Sequence, residues 1–161
     1  MSPVASAATP TTVPCASAVA ARFPEPYRLY DTPGLSSGRS TWTNASELAS
    51  WLREQARQRQ LTAPSQAAVL RAGNTQEGQP IEALVLSSGT ATDAASLKAT
   101  ERPTVLLFAQ QHGDAPASAE ALLVVARELA QGKLRPLLSR INVLIVPRAN
   151  PDGAAKATPD Q

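Results

Sequence analysis

Two continuous apolar runs of strand length, at 104–109 and 141–146, bracket an amphipathic stretch, and this arrangement limits the fold more than any other feature of the chain. A strand that is apolar at every position suits burial on both faces. Between the runs, Ala119, Leu122, Leu123, Ala126 and Ala130 form one stripe at helical spacing. They predict a helix over 117–131, with Gly132 placed where a helix end favours a left-handed residue. Strand, helix and strand of these lengths make a βαβ unit, which brings the two strands parallel and right-handed into one sheet.

The residues before this unit divide into an arm and two further elements. Residues 1–41 are rich in Pro, Gly, Ser and Thr and show little periodicity, so they read as an extended arm, with 42–161 as the domain. Phe23, Tyr27 and Tyr30 are spaced to dock parts of the arm on a surface. Asn44 followed by Glu47 fits a capping box. Leu48, Trp51, Leu52 and Ala56 then recur at helical spacing, predicting a helix over 44–60 with Trp51 in its packing face. Short runs at 67–71 and 81–86, separated by turn residues, predict an antiparallel hairpin in which Ile81, Ala83 and Val85 face inward. Residues 87–101 read as a loop.

Composition excludes several classes. The 161 residues suit one domain. Fifteen Lys and Arg against thirteen Asp and Glu leave a net charge of +2, and the cations are scattered, unlike the stripe of a nucleic-acid binder. No apolar run approaches the roughly 20 residues of a membrane span. The single cysteine, Cys15, excludes an intrachain disulfide framework and a Cys-rich metal site, and reads as a free thiol in the arm. The first residues lack the basic and Leu-rich regions of a signal peptide.

Chemistry gathers at the carboxyl ends of the two apolar strands, where open α/β sheets bind ligands. His112, the only histidine, follows the first strand. Asp114 reads as favourable charge at a helix start, and Glu120 as a helix-surface carboxylate. After the second strand, Arg148 reads as a solvated or ion-paired surface residue. Asn150-Pro151-Asp152-Gly153 fits a β-turn. Ser118 has no partner histidine for nucleophilic catalysis.

The stretch from Arg102 to Ala117, with Gln110-Gln111-His112-Gly113-Asp114 at its centre, then Glu120 to Leu123, then Asn142 to Gly153, resembles the zinc carboxypeptidase (carboxypeptidase A-like) family. Pro33-Gly34 and the run Gly78 to Ala83 are similar to the family's entry segment. The resemblance covers residues 22–155. It implies a three-layer α/β/α fold with a mixed sheet, of which this chain is the N-terminal half. It implies zinc as cofactor, held by a His-x-x-Glu pair and a more distant His, with water in the open position. It also implies a Glu as general base, Asn and Arg side chains gripping the substrate carboxylate, and a peptide substrate hydrolysed at its C-terminal bond. His112 matches the first zinc ligand. The matching Glu position is Ala115, whose methyl group cannot coordinate, and Asp114 is the weak substitute.

The second His, the base and the substrate-gripping pair would lie beyond residue 161. The expectation is a metallocarboxypeptidase-like chain that is inactive alone and holds zinc weakly. The alternative is a non-catalytic module that binds a peptide or partner. The family further implies a periplasmic or secreted location, and the apolar strands imply self-association through an exposed sheet edge.

Overall fold

The computed structural model describes residues 30–62 and 67–158. Cys15, Phe23 and Tyr27 lie outside them.

The helix that follows the arm, α1 (Ala45–Thr62), starts where its cap predicts. The Asn44 Oδ1 accepts from the Glu47 N–H at 2.9 Å, and the Glu47 carboxylate accepts from the Asn44 N–H at 2.8 Å, which satisfies two amides that the first turn leaves open. Arg39 adds a two-pronged pairing to the same carboxylate, both contacts at 2.7 Å. The expected hairpin is present as β1 (Ala67–Asn74) and β2 (Pro80–Leu86), antiparallel, with an irregularity between Arg71 and Gly73. Its inward pattern is wider than expected. Leu84 and Leu86 are as buried as Val85, because β2 is a central strand with material on both faces.

Residues 87–101 are not all loop. A short helix, α2 (Ala94–Ala99), is capped reciprocally by Asp93 and Ser96 and anchored by the buried Leu97. With a single large apolar residue it offers no periodicity to read.

The βαβ unit consists of β3 (Thr104–Phe108), α3 (Pro116–Ala130), a 3-10 turn at Arg135–Ser139 and β4 (Asn142–Val146). Strands β3 and β4 pair in parallel from Thr104↔Asn142 to Phe108↔Val146, as expected. Gly132 is not left-handed. Its φ is not positive, and α3 instead closes with the Gln131 and Gly132 amides donating to Arg127 and Glu128 carbonyls. The last helix, α4 (Pro151–Lys156), replaces the expected turn at 150–153.

The sheet order is β1-β2-β4-β3, with β2 antiparallel to both its neighbours, so the sheet is mixed. One face carries α1 and α3. Leu48, Leu52 and Ala56 from α1 and Leu123, Ala126 and Leu129 from α3 close over Leu84, Leu86, Val143 and Ile145. Trp51 packs at the margin of this core and donates from its indole to the Asp31 carbonyl. The other face holds a smaller cluster of Val85, Ala91 and Leu97, with Leu70 and Leu144 beside it. The architecture is three-layer α/β/α with one thin layer.

Strand β3 departs from the expected burial on both faces: it lies at the sheet edge among the described residues, and Leu106 and Phe108 remain 55% and 50% exposed. Its apolar composition marks surface that favours cover, and the described residues supply cover only along part of one face.

At the amino end of β4, Asn142 is fully buried. Its Oδ1 accepts from Ser87 Oγ at 2.8 Å and Arg102 Nη2 at 3.1 Å, and its Nδ2 donates to Thr100 Oγ1 at 2.9 Å. One side chain thereby joins β4 to the ends of β2 and α2.

Candidate functional site

Parallel pairing sends the chain out of β3 and β4 at the same sheet end, so the His112 loop and the Asn150 segment emerge side by side. They are bonded along their length. The Ala149 N–H donates to the Ala109 carbonyl at 2.9 Å, the Asn150 N–H to the Gln110 carbonyl at 3.0 Å, and Asn150 Nδ2 to the Gln111 carbonyl at 3.1 Å. Beyond these contacts the loops touch backbone to backbone at Gly113 and Gly153.

His112 is exposed on this loop and Asp114 is exposed two residues later. Ala115, half-buried, is the N-cap of α3, and its N–H donates to the His112 carbonyl at 3.1 Å. Asp114 therefore lies outside the helix rather than in its first turn. Ser118 is occupied structurally: its Oγ accepts from the Gln110 N–H and donates to the Ala115 carbonyl. Among the described residues no three His, Cys, Asp or Glu side chains come together as metal donors. The exposed imidazole of His112, with only a methyl group at Ala115 three residues on, does not by itself fit zinc, which takes three or four protein donors.

Asn150 caps α4, its Oδ1 accepting from the Gly153 N–H at 2.9 Å, with Pro151 in the first helical turn. Asp152 is thus no turn residue. It is 6% exposed and accepts from Thr75 Oγ1 at 2.7 Å and the Glu77 N–H at 3.3 Å, tying the β1–β2 turn to the first turn of α4. Lys156 pairs with Glu77 across the same junction. A cleft of about 480 Å³ opens here, lined by Thr75, Glu77, Phe108, Gln111, Asn150 and Asp152.

Two further expectations are overturned. Glu120 is not on the helix surface. It is 2% exposed, and its Oε1 accepts from the Thr43 N–H at 2.8 Å. The segment over it includes a 3-10 turn at Pro33–Leu35, where a side chain at Gly34 would collide with the carboxylate. Arg148 is not a surface residue either. It is half-buried and donates to Gln110 Oε1 and the Thr43 carbonyl. Burial pushes its guanidinium pKa down, and the Glu120 charge opposes that shift. The sequence signal missed in both cases is long-range: nothing local to Glu120 or Arg148 reveals that residues 34 and 43 fold over them.

The comparison with known families settles the lineage. Residues 51–161 match the family model described as zinc carboxypeptidase. The chain belongs to the zinc carboxypeptidase family. It is 35% identical over 109 residues to carboxypeptidase D of Rattus norvegicus, which covers 58% of this chain and 8% of the relative. Among solved structures, carboxypeptidase A from Helicoverpa armigera superposes with a TM-score of 0.59 at 22% identity, covering 71% of this chain and 26% of that one. A metallo-carboxypeptidase from Burkholderia cenocepacia gives 0.51 at 25% identity, covering 73% and 29%. The zinc carboxypeptidase fold is therefore shared across about 70% of this chain, while the chain spans well under a third of these relatives.

Proposed function

We propose that this chain supplies the N-terminal framework of a metallocarboxypeptidase domain, with His112 at the first zinc-ligand position, and that alone it does not hydrolyse peptides. The observation that carries this reading is the pairing of an exposed His112, on a loop fixed at the carboxyl end of parallel strands, with Ala115 where the second ligand belongs. The whole protein's activity, on this reading, is zinc-dependent release of a C-terminal residue from a peptide. The test is direct. The purified chain is incubated with zinc and peptides, and free amino acid is measured. No release is expected. Zinc-dependent release that disappears in His112→Ala overturns the reading.

Ala115 also favours a second reading, a non-catalytic module that binds a peptide or partner without cleaving it. Peptide binding by the chain, unchanged when zinc is added, supports that reading.

The open edge of β3 supports a further proposal, self-association. The strand carries no charged residue and no proline of its own to deter pairing with another edge.

A further inference from the structure

Gln110 stands where β3 gives way to the His112 loop, and its backbone is left-handed, with φ of 48°. Such a conformation is unfavourable for a residue with a β-carbon and persists where the surroundings impose it. Here they do. The Gln110 N–H donates to Ser118 Oγ at 3.0 Å and its carbonyl accepts from the Asn150 N–H at 3.0 Å. The side chain, 3% exposed, is engaged at both ends. Nε2 donates to the Gly113 carbonyl at 3.0 Å, inside the His112 loop, and Oε1 accepts from Arg148 Nε at 2.9 Å. Arginine only donates and a carbonyl only accepts, so the amide has one workable orientation.

Arg148 extends the chain of contacts. Its Nη2 donates to the Thr43 carbonyl at 2.7 Å. The Thr43 N–H donates to Glu120 Oε1, and Thr43 Oγ1 accepts from the Gly34 N–H at 2.9 Å. An unbroken path of hydrogen bonds therefore runs from Gly34 through Thr43, Arg148 and Gln110 to Gly113. The guanidinium suits the junction because its donors diverge at fixed angles toward acceptors on two different segments, whereas a lysine offers one point of donation.

We propose that Arg148 is a positioning residue for the His112 loop: acting through Gln110 it fixes the Gly113 backbone, and through Thr43 it makes residues 34–43 part of the site's framework. The relevance of the loop to chemistry rests on the function proposed above, but the test reads loop order alone, so the two stand or fall separately.

The decisive substitution is Gln110→Glu. It preserves the acceptor for Arg148, now as an ion pair, while replacing the donor to Gly113 with a second acceptor. This change tests the Gln110–Gly113 link, and Arg148→Met tests whether that link depends on Arg148. Amide hydrogen exchange is measured on the chain for the parent, Gln110→Glu, Arg148→Met and Arg148→Lys. The expected result is exchange at Ala115, whose N–H is held by the His112 carbonyl, faster by about tenfold in Gln110→Glu and Arg148→Met. Amides of the β1–β2 hairpin keep the parent rate, and Arg148→Lys is intermediate. Exchange at Ala115 within about twofold of the parent in Gln110→Glu or in folded Arg148→Met, or equal acceleration in the hairpin, overturns the proposal. Should Arg148→Met fail to fold, Gln110→Glu and Arg148→Lys decide by the same criterion.

Discussion

A β-carbon on Gly113 would lie 2.0 Å from the carbonyl carbon of Gly153. The His112 loop thus meets the start of α4 where Gly113 has no room for a side chain, and the obstacle is the Gly153 and Ala154 backbone, which cannot swing away. Gly113→Ala is expected to destabilise the chain by about 2 kcal/mol, the usual scale of overpacking, measured by urea denaturation. An unchanged midpoint would mean that the loops separate freely.

Asn142 makes a second sharp prediction. Asn142→Leu keeps the volume but removes one acceptor of Ser87 and Arg102, which keep oxygens of Ser87 and Ser88 as partners, and removes the donor to Thr100. The expected loss is about 1–2 kcal/mol, the usual scale of two or three lost hydrogen bonds partly offset by the added apolar side chain. The same denaturation experiment reads it.

Acid should weaken α1. The Arg57 guanidinium, followed by the Gln58 amide, holds the Glu54 carboxyl down from 4.5 to about 2. A depressed carboxylate pKa adds stability above the unfolded value, and that contribution is lost as pH falls from 4.5 toward 2. The melting temperature should therefore fall through this window, and Glu54→Gln should flatten the slope. Because the pair is solvent-exposed, added salt should diminish the difference.

Ala115→Glu tests the assignment of His112. If that imidazole stands at a ligand position, a carboxylate three residues later supplies a second donor, and zinc affinity by titration calorimetry should rise by about tenfold or more. His112→Ala in the same background should remove the gain.

The β3 edge predicts concentration-dependent association in sedimentation. Leu106→Lys, which places a charge on a half-exposed apolar position, should shift the chain toward monomer.

What the sequence conveys follows the range of the interaction involved. The start of α1 is legible because Asn44 and Glu47 are three residues apart and bond each other. The hairpin and the parallel pair are legible because apolar runs and turn residues are local signals. Asn150-Pro151 is legible as a helix start, Asn being a favoured cap and Pro a favoured first residue, while Gly153 close behind equally suits a turn. Glu120 and Arg148 were not legible. Their burial depends on Gly34 and Thr43, far away in the chain, and helical periodicity carries no trace of that contact. The coverage of β3 is not legible for a related reason: composition states what a strand would bury, while its neighbours determine what it does bury.

The pairing of β2 with β4 runs through only Leu84↔Ile145, Val85↔Leu144 and Leu86↔Val143. On one side of this seam lies a hairpin with α1, on the other a strand–helix–strand unit, and each is assembled mainly from neighbours in sequence. The β2–β4 seam closes a longer stretch of chain than either of the other two strand pairings, so its closure carries the larger entropy cost. A cut in the connection after β2 should leave each half with its own strand pairings, and mixing the two pieces tests whether the three-pair seam forms again between separate chains.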